Sequence, residues 1–289
     1  MARFPEIGTL VPAQRGAAAE GNGVFRGFDA RNGRPNPPWY YSATLEEEEE
    51  NGKIPKVKAP RLWNQDWRQE AWQRACESVK REAGCGFPLV AQWATNGAAL
   101  DAMAIQGSAL WVSVWSRIEL LSSYEPYEIQ TSKGVDLVRL GLSDPIRIFN
   151  KDEPTRADKA LNGDWRAIWS VSLIDQLVDR ILFQQIQTRL TAQWPHLPVQ
   201  VGIGFTDDMI KDFIQQFRKD SFINSDDTKK WDFCVLEQDL FMCAIITFRA
   251  FDRSPLSAKE TKTLYNCVLN RTLCVSRKLG ILSDGSVFD

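Results

Sequence analysis

The sequence predicts an α+β fold, and three observations carry that expectation. Two short stretches alternate apolar and polar residues, "IRIFN" at 146–150 and "RAIWSVS" at 166–172, which is the period of a strand with one buried face. Longer stretches repeat apolar residues every three or four positions, the clearest being Leu173, Leu177, Ile181, Leu182, Ile186 and Leu190, the stripe of an amphipathic helix. Finally, 44% of the 289 residues are hydrophobic, enough to fill a real core.

The elements follow in chain order. Residues 1–60 are dense in Gly and Pro and carry five consecutive glutamates, Glu46 to Glu50. A like-charge block repels itself and stays solvated, so this region is expected to be extended, anchored locally by Phe4, Phe25 and Trp39. From Arg61, Trp63, Trp67, Ala71 and Ala75 recur at helical spacing until Gly84 and Gly86 break the pattern. "CGFPLVAQW" is then a loop entering a strand or helix. "NGAALDAMAIQGSALWVSVWSRIELLSSY" is mostly helical, with Leu100, Met103, Ala104, Leu110, Val114 and Ile118 in loose register. The middle of the chain has the layout strand, basic loop, strand, helix. Ser172 is placed to cap that helix, with Asp175 at its third position completing a capping-box-like start. His196 sits in a Pro-bounded exit loop, "WPHLP". Thr206 caps a helix carrying Met209, Ile210, Phe213 and Phe217, and "FIN" forms a short strand before Asp226 and Asp227. Leu236, Leu240, Ala244 and Phe248 line one face of the next helix. A last helix, capped by Ser257, is expected to run until Gly280.

Gross features exclude several classes. A net charge of -2 argues against a wholly basic nucleic-acid binder, though not against a local basic groove. The six cysteines contain no CxxC pair and there is a single histidine, so a Cys/His zinc site is not expected. Scattered cysteines suit free thiols in a reducing compartment. No run of 18 or more apolar residues appears, so membrane association would have to come through partners.

Two features could support chemistry. In "SDDTKKWDFCVLEQDL", Asp227 and Asp232 stand at the junction of a predicted strand and helix. A strand-end carboxylate is fixed by the sheet and suits a hard cation; the same residues also fit a solvated turn that caps a helix. Between the two middle strands lie Lys151, Arg156, Lys159 and Arg166, partly offset by Asp152, Glu153, Asp158 and Asp164. As composition this is an ordinary charged loop. As an arrangement ahead of a strand-Asp-helix unit it suits a phosphate grip with metal-assisted phosphoryl transfer. "GIGF" at 202–205 is a weak nucleotide signal by itself.

"RIFNKDEPTRADKALNGDWRAIWSVSLIDQLVDRILF" resembles the basic fingers motif of the RNA-dependent RNA polymerases of sobemoviruses and their luteovirus-like relatives. That pattern is K-x-E-P, a spaced lysine, G-R-x-R, then S-V-S-L-x-D-Q-L-x-x-R-x-L-F; Ser170 to Phe183 follows it closely. "DTKKWDFCV" is similar to the first palm motif, D-x-S-G-W-D-W-S-V, with Asp227, Trp231, Asp232 and Val235 in register. "GCGFPL" with "TNGAAL" resembles the template-side S-P-G-x-P-L loop and the Asn after it, and "FPEIGTLVPAQRGAAAEG" resembles the family's opening.

The resemblance implies a right-hand polymerase fold: an extended segment with the acidic run over 1–60, a fingers region over 61–200 and the beginning of a palm over 201–289. It implies that Asp227 ligates Mg²⁺, or Mn²⁺ in its place, with help from the Thr228 carbonyl. Asp232 would recognise the ribose 2′-hydroxyl that separates RNA from DNA. Lys151, Lys159 and Arg166 would hold the triphosphate, and Gly86, Pro88 and Asn96 would line the template. The implied partners are viral RNA template, nascent strand and NTPs, with viral protease or VPg-type proteins in the replicase. The implied location is the host cytoplasm, at membrane-associated replication complexes reached through partners.

The sequence departs from the pattern in places. Lys229 and Lys230 replace a Ser-Gly pair, Asp164 replaces the first arginine of G-R-x-R, and Gly84-Cys85-Gly86 replaces S-P-G. "GILSDGSVFD" resembles the lead-in to the second palm motif, and neither S-G-x-x-x-T nor G-D-D follows within the chain. The expectation is therefore the front part of a polymerase, inactive by itself. The alternative is a binding piece that performs no chemistry. A two-carboxylate glycoside hydrolase would leave the basic strand-loop-strand without a purpose.

Overall fold

A computed structural model describes residues 10–11, 56–163, 165–193, 206–215 and 235–289. It is mixed helix and strand, as expected. After the short strands β1 (Leu10–Val11) and β2 (Val57–Lys58) come helix α1 (Gln65–Glu77), a 3₁₀ turn at Leu89–Ala91, α2 (Asn96–Met103) and α3 (Ala109–Ser123). Next are α4 (Pro126–Thr131), α5 (Gly134–Arg139), β3 (Ile146–Asn150), β4 (Thr155–Arg156) and α6 (Ala157–Leu161). Then β5 (Ala167–Ser170), α7 (Leu173–Ala192), α8 (Asp207–Gln215), α9 (Glu237–Ala250) and β6 (Phe251–Asp252) follow, and α10 (Ala258–Val275), β7 (Gly280–Ile281) and β8 (Val287–Phe288) come last.

The main core is helical. α3 packs on α10 and α7, α1 lies against α7, and α9 and α4 lie against α10. Of the stripe predicted for α7, Leu173, Leu177, Ile181, Leu182 and Ile186 enter the core, each such side chain contributing about 1.5–3 kcal/mol through burial, and Leu190 at its end is half-buried. Trp72 is buried where the helical stripe named Trp67. Its ring stacks edge-on against Trp111 at 5.2 Å, and its Nε1 donates to the Ala104 carbonyl at 3.0 Å. The long helical stretch after residue 95 is two helices. Gly107, at φ +82°, turns the chain between them, and the Ser108 hydroxyl accepts from the Trp111 amide to start α3.

A four-stranded sheet, order β5-β3-β7-β8, stands on this core. β5 runs antiparallel to β3, β7 parallel to β3, and β8 antiparallel to β7. β3 buries alternate residues, with Ile146 and Ile148 turned in against Leu282, Trp169 and Phe288. Two further pairs are small: β1 with β4, antiparallel, and β2 with β6, parallel.

Two sequence expectations are corrected. The last helix ends at Val275, not at Gly280; the Ser276 amide bonds back to Leu273 and Cys274, and Gly280 sits in β7. There a Cβ would meet the end of the Ile148 side chain on the neighbouring strand, which would have to turn aside. The start of α7 is only half a capping box: the Ser172 hydroxyl accepts from the Asp175 amide at 3.0 Å, but the Asp175 carboxylate turns inward to three cations. The expected strand "FIN", His196, and the anchors Phe4, Phe25 and Trp39 lie outside the described residues.

Candidate functional site

Two of the four basic residues, Lys151 and Arg166, meet at the outer end of the β3–β5 hairpin. β3 delivers Lys151 just past Asn150, and Arg166 stands just before β5; the Lys151 amide donates to the Arg166 carbonyl at 2.8 Å. Both side chains reach Glu153: Lys151 Nζ is 2.6 Å from Oε2, and Arg166 Nη1 is 3.2 Å from Oε1. These cations hold the Glu153 carboxyl below its ordinary value, the hydrogen bond from Lys151 being the largest cause. Lys151 is 42% and Arg166 74% exposed, so each still faces solvent and could exchange Glu153 for a more highly charged anion. Lys159 is exposed in the last turn of α6. Arg156, also exposed, pairs with Asp158 at 2.9 Å, and Leu10 lies opposite it in β1. Sequence reasoning gave Glu153 no part beyond offsetting charge. Its spacing two residues after Lys151 was the available signal.

The glycine-rich loop lies directly against the start of α7. Gly86 has φ +63°, and a Cβ there would come within 2.7–2.9 Å of Val171 O, Ser172 N and Ser172 Cα. The Leu173 amide donates to the Cys85 carbonyl at 2.8 Å. The Phe87–Pro88 peptide is cis. Asn96 is fully buried; its Nδ2 donates to the Lys80 carbonyl at 3.1 Å and to Gln176 Oε1 at 3.4 Å. So Gly86 packs the loop backbone on the start of α7, and Asn96, at the start of α2, reaches α7 through its side-chain amide.

Below the sheet is a buried ion cluster that sequence reasoning missed apart from Asp175 and Ser172. Arg117 makes a bidentate pair with Asp144, 2.8 Å at each oxygen, and reaches Asp175 at 2.8 Å. Arg271, 1% exposed, contacts Asp175 at 3.0 Å and Asp179 at 2.6 Å. Lys278 Nζ lies 2.5 Å from Asp175 and also donates to the Ser143 hydroxyl. The Ser172 hydroxyl donates to Asp144 at 2.6 Å. Three cations thus balance three carboxylates. Burial pushes the Asp175 carboxyl up, but Arg271, Lys278 and Arg117 together hold it well below the usual carboxylate range. A signal existed: Arg117 and Arg271 each occupy a core position in an apolar helical stripe, Leu110-Val114-Arg117-Leu121 and Leu264-Cys267-Arg271-Cys274. A charge in such a register demands a buried partner.

Asp227, Thr228 and Asp232 lie outside the described residues. Among the described residues, no three His, Cys, Asp or Glu side chains are grouped so as to hold a metal ion.

A family model described as viral RNA-directed RNA polymerase matches residues 63–220, more than half of the chain. The match takes in the glycine-rich loop, the basic hairpin and α7. The chain belongs to that viral RNA-directed RNA polymerase family. Among its relatives, the protein P1-P2 of potato leafroll virus is 30% identical over 73% of this chain and 21% of its own length. The replicase polyprotein P2AB of Southern cowpea mosaic virus is 28% identical over 68% of the chain and 21% of its own length. The protein P1-P2 of turnip yellows virus is 33% identical over 49% and 15% respectively. The chain thus spans about a fifth or less of the length of these relatives.

Proposed function

We propose that this chain supplies the nucleotide-facing part of a viral RNA-directed RNA polymerase: an extended segment over 1–60, fingers over 61–200 and the beginning of a palm over 201–289. The observation that carries the reading is the β3–β5 hairpin. It presents Lys151 and Arg166 side by side at its exposed end, already gathered by one carboxylate, in a chain of the polymerase family. An incoming triphosphate would displace Glu153 and take both cations, with Lys159 joining from α6. Their charge would offset that which accumulates on the departing pyrophosphate.

In the same reading, Asp227 and the Thr228 carbonyl hold divalent cations, Mg²⁺ or Mn²⁺. Hard oxygen donors of this kind suit such ions, and the ions supply stabilisation of negative charge on the phosphoryl oxygens. Asp232 accepts a hydrogen bond from the ribose 2′-hydroxyl and so selects NTPs over dNTPs. Gly86 and Pro88 shape the surface along which the template passes, and Asn96 fixes that surface from within. RNA template, nascent strand and NTPs are then the partners, with viral protease or VPg-type proteins in the same replicase. The site of action is the host cytoplasm, at replication membranes reached through those proteins. Among the described residues no helix is long and apolar enough to cross a membrane.

The test is UTP against dUTP incorporation by the polymerase that carries this chain. Asp227→Asn should abolish incorporation. Asp232→Asn should retain it but lose discrimination several-fold to about tenfold, the worth of one hydrogen bond of about 0.5–1.5 kcal/mol. Full activity and full sugar preference in both variants would make these carboxylates structural and end the reading.

A further inference from the structure

The buried ion cluster and the basic end of the hairpin sit at opposite ends of the same strands. Asp144 lies two residues before β3, Ser172 two residues after β5, and Lys278 two residues before β7. β3 and β7 run outward from the cluster and β5 runs back to it, so the inner ends of three adjacent strands converge there. Their ties are direct. Ser172 bonds Asp144 at 2.6 Å, the Asp144 amide reaches Asp175 Oδ2 at 3.4 Å, and Lys278 bonds the same oxygen at 2.5 Å. Arg117 and Arg271 fix Asp175 to α3 and α10 of the helical core. At the outer end the ion pairs of Lys151 and Arg166 go to Glu153 and a backbone bond joins the two residues, while their chain neighbours Asn150 and Trp165 are buried.

We propose that Asp175 and Lys278 are positioning residues for the phosphate grip: they fix the tilt of the β3–β5 hairpin and thereby the place of Lys151 and Arg166. The lever is long. Five residues of strand span about 16 Å, so a 10° tilt at the root displaces the end by about 3 Å, and a displacement of even 1 Å at a reacting group can cost on the order of 100-fold. The cluster touches no nucleotide in this scheme; it acts only through the strands. The proposal rests on the reading of Lys151 and Arg166 as triphosphate ligands.

The experiment measures binding of inorganic tripolyphosphate to the 289-residue chain by calorimetry, beside a thermal melt of each variant. Lys151→Ala with Arg166→Ala tests the underlying reading and should weaken binding at least tenfold. Lys278→Met, which keeps the apolar stem, should weaken it by a similar factor while the chain remains folded, and Lys278→Arg should restore most of the loss. Combined with the Lys151→Ala and Arg166→Ala pair, Lys278→Met should add little, because it acts through residues already removed. If Lys278→Met does not fold, Ser172→Ala, which breaks only the link to Asp144 and a helix cap, is read in the same cycle. Unchanged binding in the Lys151→Ala, Arg166→Ala pair would defeat the reading of the site. A weakened pair with unaffected binding in the folded Lys278→Met or Ser172→Ala chain, or effects that simply multiply, would overturn the positioning role alone.

Discussion

Replacing Gly86 by alanine adds a single methyl group, and the structure places that group against the Val171–Ser172 backbone. A Cβ at Gly86 would lie 2.7 Å from Val171 O, 2.8 Å from Ser172 Cα and 2.9 Å from Ser172 N, distances that real Cβ atoms do not show. None of these atoms is the end of a flexible side chain, so relief requires the loop to move off α7. That motion stretches the bond from the Leu173 amide to the Cys85 carbonyl. Two costs add: about 1–2 kcal/mol for alanine at φ +63° and about 1–3 kcal/mol for overpacking. The sum is about 2–5 kcal/mol. Gly107 is the matched control, because it has φ +82° but nothing within 4 Å of its would-be Cβ. Gly107→Ala should therefore show the backbone cost alone. Urea unfolding followed by tryptophan fluorescence, with 11 tryptophans as reporters, measures both. If Gly86→Ala is no more destabilising than Gly107→Ala, the close contact between the glycine-rich loop and the start of α7 does not exist as described.

Arg271→Met leaves Asp175 with one cation fewer in the core and should cost about 3–5 kcal/mol; a urea midpoint shift worth under 1 kcal/mol would contradict the buried cluster. The folded Asp175 carboxyl is depressed, so its stabilisation is full above the unfolded value near pH 4 and is lost as the pH falls toward the folded one. Urea midpoints at pH 6 and pH 3 should therefore differ more for the native chain than for Arg271→Met, and equal differences would refute the assignment. Burial pushes the Cys267 thiol up to about 12; burial and Asp239 also raise that of exposed Cys243, so maleimide at pH 8 should modify Cys243 slowly but before Cys267, which reacts only once urea opens the core; equal rates in native buffer would refute that packing.

Local order was legible where the sequence carried a strong period. The α7 stripe, the alternation of β3, and the caps at Ser172 and Ser257 follow from spacing and hydrogen-bond chemistry within a few residues. What was not legible depends on contacts between distant segments. Gly280 signals a helix end by itself; only its pairing with Ile146 on the neighbouring strand makes it a strand glycine. Asp175 fits a capping box by position, but Arg117, Arg271 and Lys278 draw its carboxylate the other way. The basic residues were identified as a group, yet their order around Glu153 depends on strand pairing that no single stretch encodes. For the template-side residues the family resemblance named the loop, while the inward course of Asn96 emerged only with α7 in place.

The order of synthesis matters for the ion cluster. Asp175 precedes Lys278 by 103 positions and the Arg271 guanidinium contacts a carbonyl 96 positions back. At about 5–20 residues per second, Asp175 leaves the ribosome on the order of 5–20 s before these two cations exist. Arg117 is already present, but one arginine shared with Asp144 does not neutralise both carboxylates. During that interval burial of Asp175 is opposed by its own hydration, and β3 has no partner on the side that β7 later occupies. Until β7 is made, that edge of β3 lacks the partner the fold gives it, and an unpaired strand edge is a template on which another strand can pair. The two late cations and β7 close this end of the sheet, so a pause between residues 180 and 270 would lengthen the interval before either is present.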